Sequence, residues 1–174
     1  MSTSVTPGSV EDRARESWTG LGKPPEEAAP LTVLLLNGIN LSQLEARNPV
    51  LYGTQSLQQL ISDVMLEHRN LDAFNSEYEG AIVDRIHKAR TDGTAGVVIN
   101  PGALTHYSYG IRDALELLDM PKAEVHLTHT IGRDLFRRHS TITPVVDVTI
   151  TGLGALGYRL ATNAVLQLAL ERRR

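Results

Sequence analysis

The chain alternates short apolar runs with stretches in which apolar residues recur at helical spacing. The runs predict strands at residues 31–36, 71–74, 96–100, 123–127 and 145–150. The helical spacing predicts helices at residues 57–65, 77–90, 111–118 and 158–170. Alternation of this kind favours parallel strands joined by right-handed crossovers. The simplest solution is a flavodoxin-like, five-stranded parallel sheet with helices on both faces, a three-layer αβα fold.

Composition limits the chain to one globular unit. Its 174 residues, 41% of them apolar, are enough to bury a core without metal or disulfide support. We therefore interpret residues 30–174 as a single domain. Residues 1–29 are rich in Ser, Thr, Pro, Gly and charge, which indicates a flexible N-terminal extension. The alternative for this segment is that Trp18 docks on a neighbouring surface.

Charge and cysteine content exclude several classes of function. The net charge of -3 and the pI of about 6.1 provide no electrostatic reason to bind nucleic acid or an anionic membrane. The absence of cysteine excludes thiolate catalysis and disulfides. No apolar run approaches the roughly 18 residues that a membrane span needs. We expect a soluble, cytoplasmic protein.

Residues 37–53, which we call the lid, follow the first predicted strand. In open α/β sheets, ligands bind at the C-terminal edge of the strands, where this segment begins. Loops of about 15 residues in compact domains usually cover or bind a ligand. We expect the lid to lack regular structure and to contribute Asn40, Arg47 and Tyr52 to a site.

Other polar residues follow the third and fourth predicted strands. Glu124 and His126 are two apart on one strand, so their side chains share a face. A carboxylate beside the imidazole would select its tautomer and favour its charged form, so that His126 could act as an acid. His106 follows the third strand at the same edge. Residues 133–139 form a basic cluster, which either binds an anionic substrate or is a solvated surface.

Two further motifs have simpler explanations. Residues 152–157 match the glycine pattern of dinucleotide sites, but only 17 residues follow them. That leaves no room for the second strand and its ribose-binding acid, so a tight turn with close helix packing is favoured. His126, His129 and His139 lack a clustered carboxylate, and we predict no metal and no cofactor.

Five segments, taken in order, resemble type II 3-dehydroquinate dehydratase over nearly all of residues 31–170. The segments are residues 37–41 with 47–53, 76–87, 100–106 with 111–114, 124–126, and 133–140 with 152–158. The resemblance implies a cofactor-free lyase that dehydrates 3-dehydroquinate to 3-dehydroshikimate by anti elimination through an enolate. Both the shikimate pathway of aromatic biosynthesis and quinate breakdown use this step.

The same resemblance assigns catalytic roles to five residues. Tyr52 would remove the C2 proton, and Arg47 would hold the phenolate. Asn40 would position the water that stabilises the enolate oxygen. His126, oriented by Glu124, would protonate the departing hydroxyl.

Substrate contacts are implied for the ends of the third and fourth strands. Asn100 and the backbone amides of Leu127 and Thr128 would hold the carboxylate. Arg137 and His106 would hold the ring hydroxyls.

An oligomer is implied as well. In the family the active unit is a trimer, and four trimers form a dodecamer. The counterpart of Asp113 reaches the site of a neighbouring subunit. We therefore expect a homo-dodecamer.

The sequence departs from the family pattern at Ile39, Gln43, Glu45 and the pair Thr128-His129. The changes in the lid predict altered lid motion, and those after His126 permit a different substrate. Two alternatives follow. One is a lyase acting on a related cyclic polyhydroxy keto acid, and the other is a nucleotide-binding flavodoxin-like module without catalysis.

Overall fold

The computed structural model describes residues 30–173, and its strands form one parallel sheet. The strands are β1 (Thr32–Asn37), β2 (Leu71–Asn75), β3 (Thr94–Asn100), β4 (Lys122–His126) and β5 (Val148–Thr151). Their order across the sheet is β2-β1-β3-β4-β5, and every neighbouring pair is parallel. This order defines a flavodoxin-like sheet, so the predicted fold class is confirmed.

Helices cover both faces of the sheet. They are α1 (Pro49–Tyr52), α2 (Leu57–Glu67), α3 (Glu79–Ala89), α4 (Tyr109–Glu116) and α5 (Ala155–Arg172). Helices α2 and α5 share one apolar cluster with the sheet, and α3 and α4 share the other. The segment predicted to be a flexible extension, residues 1–29, lies outside the described residues. No helix within residues 30–173 combines the length and the apolar content that crossing a membrane demands.

Strand β1 is the centre of both clusters, as its continuous apolar sequence predicts. Val33 and Leu35 pack with α2 and α5, whereas Leu34 and Leu36 pack with α3 and α4. All four side chains are at most 1% exposed. Successive side chains of a strand point to opposite faces, so the strand is held from both sides. Its C-terminal residue, Asn37, therefore provides a rigid start for the lid.

The lid is more regular than predicted. It contains a 3-10 turn at Leu44–Ala46 and the single-turn helix α1. The side chain of Asn48 caps α1, and Gly53 ends it with a φ of 78°. These are ordinary helix start and stop signals at one-turn spacing, too short to produce a periodic pattern. The prediction of a lid without regular structure was wrong.

The fifth strand begins three residues later than its apolar run predicts, at Val148. Residues Thr143–Val145 form a 3-10 turn instead, with a proline near its start. Proline lacks the backbone donor that a strand ladder uses. The hydroxyl of Thr143 also donates a hydrogen bond of 2.5 Å to Glu124. The turn thus encloses a buried carboxylate rather than extending the sheet.

Two glycines let the turns after β1 and β3 touch. A Cβ on Gly38 would lie 2.4 Å from the carbonyl oxygen of Pro101, and one on Gly102 would lie 2.5 Å from that of Ile39. Gly102 also has a φ of 62°, a conformation that favours glycine. Because no larger side chain fits, the two turns pack backbone to backbone. This contact brings the lid beside Asn100.

Candidate active site

A cavity opens at the C-terminal edge of the sheet, beneath the lid and beside the ends of β3 and β4. Most of the predicted site residues line it, namely Asn40, Arg47, Tyr52, Asn100, His106, His126, Leu127, Thr128 and Arg137. Its volume is about 130 Å³, below the roughly 300–1,000 Å³ of pockets that bury drug-sized ligands. The cavity suits a compact polar molecule better than a nucleotide.

The lid presents a tyrosine and an arginine to the cavity as one unit. Helix α1 separates them by a single turn, so the Arg47 guanidinium lies 3.7 Å from the centroid of the Tyr52 ring. Arg47 Nη2 also donates a hydrogen bond to the Tyr52 hydroxyl. Burial lowers the pKa of Arg47, and the nearby positive charges of Arg133 and Arg137 act in the same direction, against the opposing effect of Tyr52. The lid therefore concentrates positive charge around one hydroxyl.

A second arginine, Arg133, contacts the same hydroxyl. Its Nη1 atom lies 2.8 Å from Tyr52 Oη and 3.2 Å from Thr128 Oγ1. The sequence indicated a basic cluster at 133–139 but assigned this arginine no individual role. The cluster folds as consecutive 3-10 turns, which produce no periodicity from which the inward-facing residue could be identified. Two guanidinium groups therefore donate hydrogen bonds to the same hydroxyl oxygen.

On the other side of the cavity, His126 is held by a buried carboxylate. Its Nε2 atom lies 2.8 Å from Glu124 Oε1, and Glu124 is fully buried. A carboxylate only accepts, so Nε2 carries the proton. The ring's other nitrogen, Nδ1, makes no hydrogen bond to the residues that the structure describes. The predicted pairing of Glu124 with His126 is therefore present in the structure, with Nδ1 left for a ligand.

Three hydroxyls complete the surroundings of Glu124. Those of Thr105 and Thr143 donate to it, and Ser140 Oγ lies 3.2 Å from both carboxylate oxygens. Burial alone would raise the pKa of Glu124. The hydrogen bond and charge of His126, together with the two threonine hydroxyls, outweigh burial and lower that pKa below its ordinary value. Glu124 thus stays ionised behind the histidine.

Asn100 is oriented by a chain of buried hydrogen bonds that the sequence did not reveal. Its Nδ2 donates to the Tyr158 hydroxyl at 2.7 Å, and its Oδ1 accepts from the Gly102 amide at 3.1 Å. The Tyr158 hydroxyl in turn donates to Asn37 Oδ1 at 2.9 Å. Burial raises the pKa of Tyr158 well above its ordinary value, against a smaller opposing effect from Asn100. Tyr158 is therefore a neutral support, and Asn100 keeps one amide hydrogen for a ligand.

His106 is fixed by its backbone and aromatic neighbours. Its Nδ1 lies 2.7 Å from the carbonyl oxygen of His139, so Nδ1 donates. The ring packs edge-on against Phe136, with centroids 5.4 Å apart. Burial lowers the pKa of His106, and the charge of Arg137 adds to the effect, although the bond to His139 opposes it. A neutral His106 would present Nε2 to a ligand as a hydrogen-bond acceptor.

Glu124 lies behind His126, and the exposed residues Asp113 and His129 also do not line this cavity. Asp113 is exposed on α4, so its proposed role requires a neighbouring subunit. His129 is exposed and lies against Gly132 and Gly152, where an added Cβ would approach it to 2.9 and 3.0 Å. The substitution at His129 therefore lies outside the cavity wall.

The glycine-rich turn at 152–157 joins β5 to α5 and forms hydrogen bonds with the end of β4. The amides of Gly152 and Gly154 donate to the carbonyl oxygens of His126 and Leu127 at 3.2 and 3.0 Å. Gly157 packs on β4 and β5, where a Cβ would meet Val125 at 3.3 Å. The favoured interpretation, a tight turn with close helix packing, is confirmed. Within residues 30–173, no three His, Asp or Glu side chains gather as a metal-ligand set.

Proton transfer is the chemistry for which this cavity is equipped, because candidate base and acid groups face it together. The fold and the site thus define an α/β enzyme of the acid–base class. The model of the family described as Dehydroquinase class II matches residues 31–166. The chain belongs to the class II dehydroquinase family.

Relatives are similar over most of their length. The catabolic 3-dehydroquinase of Botryotinia fuckeliana is 44% identical over 135 residues, which are 74% of this chain and 88% of that protein. The 3-dehydroquinate dehydratase of Bacillus subtilis is 43% identical over 137 residues, which are 76% and 92%. The crystal structure of the type II dehydroquinase from Butyrivibrio crossotus matches with a TM-score of 0.78 and 37% identity, covering 80% of this chain and 99% of that one.

Proposed function

We propose that the protein is a hydro-lyase that dehydrates 3-dehydroquinate to 3-dehydroshikimate. The observation that carries this proposal is the pairing, across one cavity, of Tyr52 under two guanidinium groups with His126 backed by Glu124. The names of the two relatives support the same substrate.

The first step is removal of the C2 proton by the Tyr52 phenolate. A free phenol ionises only near pH 10, so the site must favour the phenolate. One cation about 4 Å away contributes about 4 kcal/mol at an effective dielectric of about 20. Arg47 and Arg133 supply two such cations. The electrons of the C–H bond pass to the carbonyl oxygen as an enolate, which a water held by Asn40 stabilises.

The second step expels the C1 hydroxyl. The enolate reforms the ketone, its electrons form the C1–C2 double bond, and the C1–O bond breaks. His126 donates a proton through Nδ1, so the hydroxyl leaves as water. Glu124 balances the charge of the imidazolium before transfer. Because the base and the acid approach from different sides of the cavity, anti elimination follows.

Substrate orientation rests on groups fixed before binding. Asn100 and the backbone amides of Leu127 and Thr128 hold the carboxylate. Arg137 and His106 bind the ring hydroxyls. Their preorganisation reduces the entropy lost when the near-attack geometry forms.

The working enzyme is proposed to be a cytoplasmic dodecamer of four trimers. Asp113 is exposed on α4, where a neighbouring copy can approach it. In that arrangement it completes the site of the adjacent subunit.

The direct test is to mix the protein with 3-dehydroquinate and follow ultraviolet absorbance of the conjugated enone. Tyr52→Phe keeps the ring under Arg47 and removes only the hydroxyl, so it should still bind substrate but retain less than a few per cent of wild-type kcat. A panel of related cyclic polyhydroxy keto acids identifies the preferred substrate. Turnover of another panel member with none of 3-dehydroquinate would reject the proposal.

A further inference from the structure

Glu77 lies in the turn between β2 and α3 and holds the start of the lid. Its Oε2 accepts a hydrogen bond from the Asn40 amide at 2.6 Å, and its Oε1 accepts one from the Ser42 hydroxyl at 2.7 Å. Glu77 does not line the cavity. Both oxygens of one carboxylate thus serve a single turn of the lid, through charge-assisted bonds that are stronger than neutral ones.

The residue that Glu77 holds has an uncommon backbone. Asn40 has a φ of 64° and is the only non-glycine residue with positive φ among residues 30–173. Asparagine tolerates this conformation better than most residues, but it is still disfavoured relative to ordinary φ values. Such a conformation persists only when its surroundings impose it. Asn40 lines the cavity, so this backbone conformation determines the direction of its side-chain amide.

The end of β2 braces the same turn from beneath. The Ser76 amide and the Asn75 side chain both donate to the carbonyl oxygen of Asn37, each at 3.0 Å. Glu77 follows these residues directly, so its carboxylate is anchored on the sheet rather than on a mobile loop. A rigid support of this kind can hold a disfavoured backbone conformation in place.

We propose that Glu77 is a positioning residue for the dehydration, fixing Asn40 at the root of the lid before substrate arrives. The inference rests on the proposed function, in which Asn40 holds the water that stabilises the enolate. Without Glu77, Asn40 can relax to ordinary φ values and its side chain loses its direction. The loss falls on the transition state, because the carboxylate and hydroxyl contacts of the substrate come from other residues.

Kinetics of two Glu77 variants test this role. Glu77→Ala should lower kcat about tenfold, equivalent to about 1.4 kcal/mol, and leave KM within about twofold. Glu77→Gln should stay within about twofold of wild type, since its carbonyl accepts from the Asn40 amide and its amino group reaches Ser42. The matched control is Asp84→Ala, because Asp84 is exposed on α3 and makes no side-chain hydrogen bond within the described residues.

Amide hydrogen exchange of residues 39–42 provides a readout independent of activity. Exchange at Asn40 should accelerate about tenfold in Glu77→Ala and stay at the wild-type rate in Glu77→Gln. If Glu77→Ala does not fold, Ser42→Ala removes one of the two bonds and should show a smaller effect in the same direction.

Failure of the inference and failure of the proposed function give different results. Wild-type protein that forms no enone refutes the proposed function, while exchange at Asn40 still tests the contact. Unchanged exchange in Glu77→Ala overturns the positioning role whatever the activity. When the wild type is active, the positioning role is also overturned if Glu77→Ala keeps full kcat. It is overturned as well if Glu77→Gln loses as much kcat as Glu77→Ala does.

Discussion

Replacing Arg133 by methionine removes the second cation from the Tyr52 hydroxyl while keeping most of the side chain's length. Arg47 remains over the ring at 3.7 Å from its centroid, and the Glu124–His126 pair lies across the cavity. The variant therefore keeps a base, an acid and the lid. We expect it to bind substrate and to remove the C2 proton more slowly.

The magnitude follows from the geometry. Arg133 Nη1 lies 2.8 Å from Tyr52 Oη, and a cation about 4 Å from a phenolate contributes at most about 4 kcal/mol at an effective dielectric of about 20. Desolvation of both groups reduces this value, and hydrogen bonds to charged groups contribute about 1.5–3 kcal/mol net. At about 1.4 kcal/mol per factor of ten, kcat should fall about 10- to 100-fold.

Steady-state enone absorbance over a range of substrate concentrations separates kcat from KM. Arg133→Lys should recover part of the loss, because lysine restores the charge without the planar fork. Arg138→Met is the matched control, since Arg138 is exposed in the same basic cluster and its side chain makes no hydrogen bond within residues 30–173. The reasoning is refuted if Arg133→Met keeps more than half of wild-type kcat, or if Arg138→Met loses as much.

Three further outcomes are expected. Glu124→Gln should lower kcat about 100-fold at near-constant KM, because the imidazolium of His126 loses its counter-charge. Folding lowers the pKa of Glu124 in the wild type, so the ionised carboxylate stabilises the folded state above about pH 4, and this stabilisation is lost as the pH falls through the folded pKa. Acid unfolding of the wild type and of Glu124→Gln will measure the difference. Tyr158→Phe leaves the side-chain amide of Asn100 without its buried acceptor, so KM should rise about tenfold. Thermal unfolding should show that the free energy of unfolding falls by about 1–2 kcal/mol. An unchanged KM would mean that Asn100 does not bind substrate. Light scattering should find a dodecamer at micromolar concentration, and removal of residues 1–29 should leave it unchanged. Asp113→Asn should raise KM without altering assembly. A fully active monomer would contradict the proposed site shared between subunits.

The fold was predictable because its signal is repeated along the chain. Strands β1, β3 and β4 are mostly buried on both faces, whereas the edge strands β2 and β5 are only partly buried. Each long helix has apolar residues at the expected spacing. The boundaries were less predictable. The run from residue 145 is apolar enough for a strand, but Pro144 and the bond from Thr143 to Glu124 keep its first residues out of the sheet.

The location of the candidate site was predictable where chemistry and position on the sheet coincide. Tyr52 lies on the lid, and His126 and Asn100 lie at the C-terminal ends of strands. Ligands of open α/β sheets bind at that edge. The supporting residues were not predictable, because their roles depend on partners that are distant along the chain. Glu77 is 37 residues from Asn40 along the chain and looks like an ordinary surface acid, and Tyr158 looks like part of an apolar helix face.

The hydroxyls around Glu124 come from separate parts of the chain, which has a consequence for inactivation. Thr105 follows β3, while Ser140 and Thr143 belong to the long connection between β4 and β5. That connection consists of short 3-10 turns with many exposed side chains, so it should open at lower free energy than the sheet. Opening admits water to the carboxylate and releases His126 from its fixed orientation. On heating, activity should therefore disappear several degrees before the helices melt, and should return on cooling as long as the sheet has stayed folded.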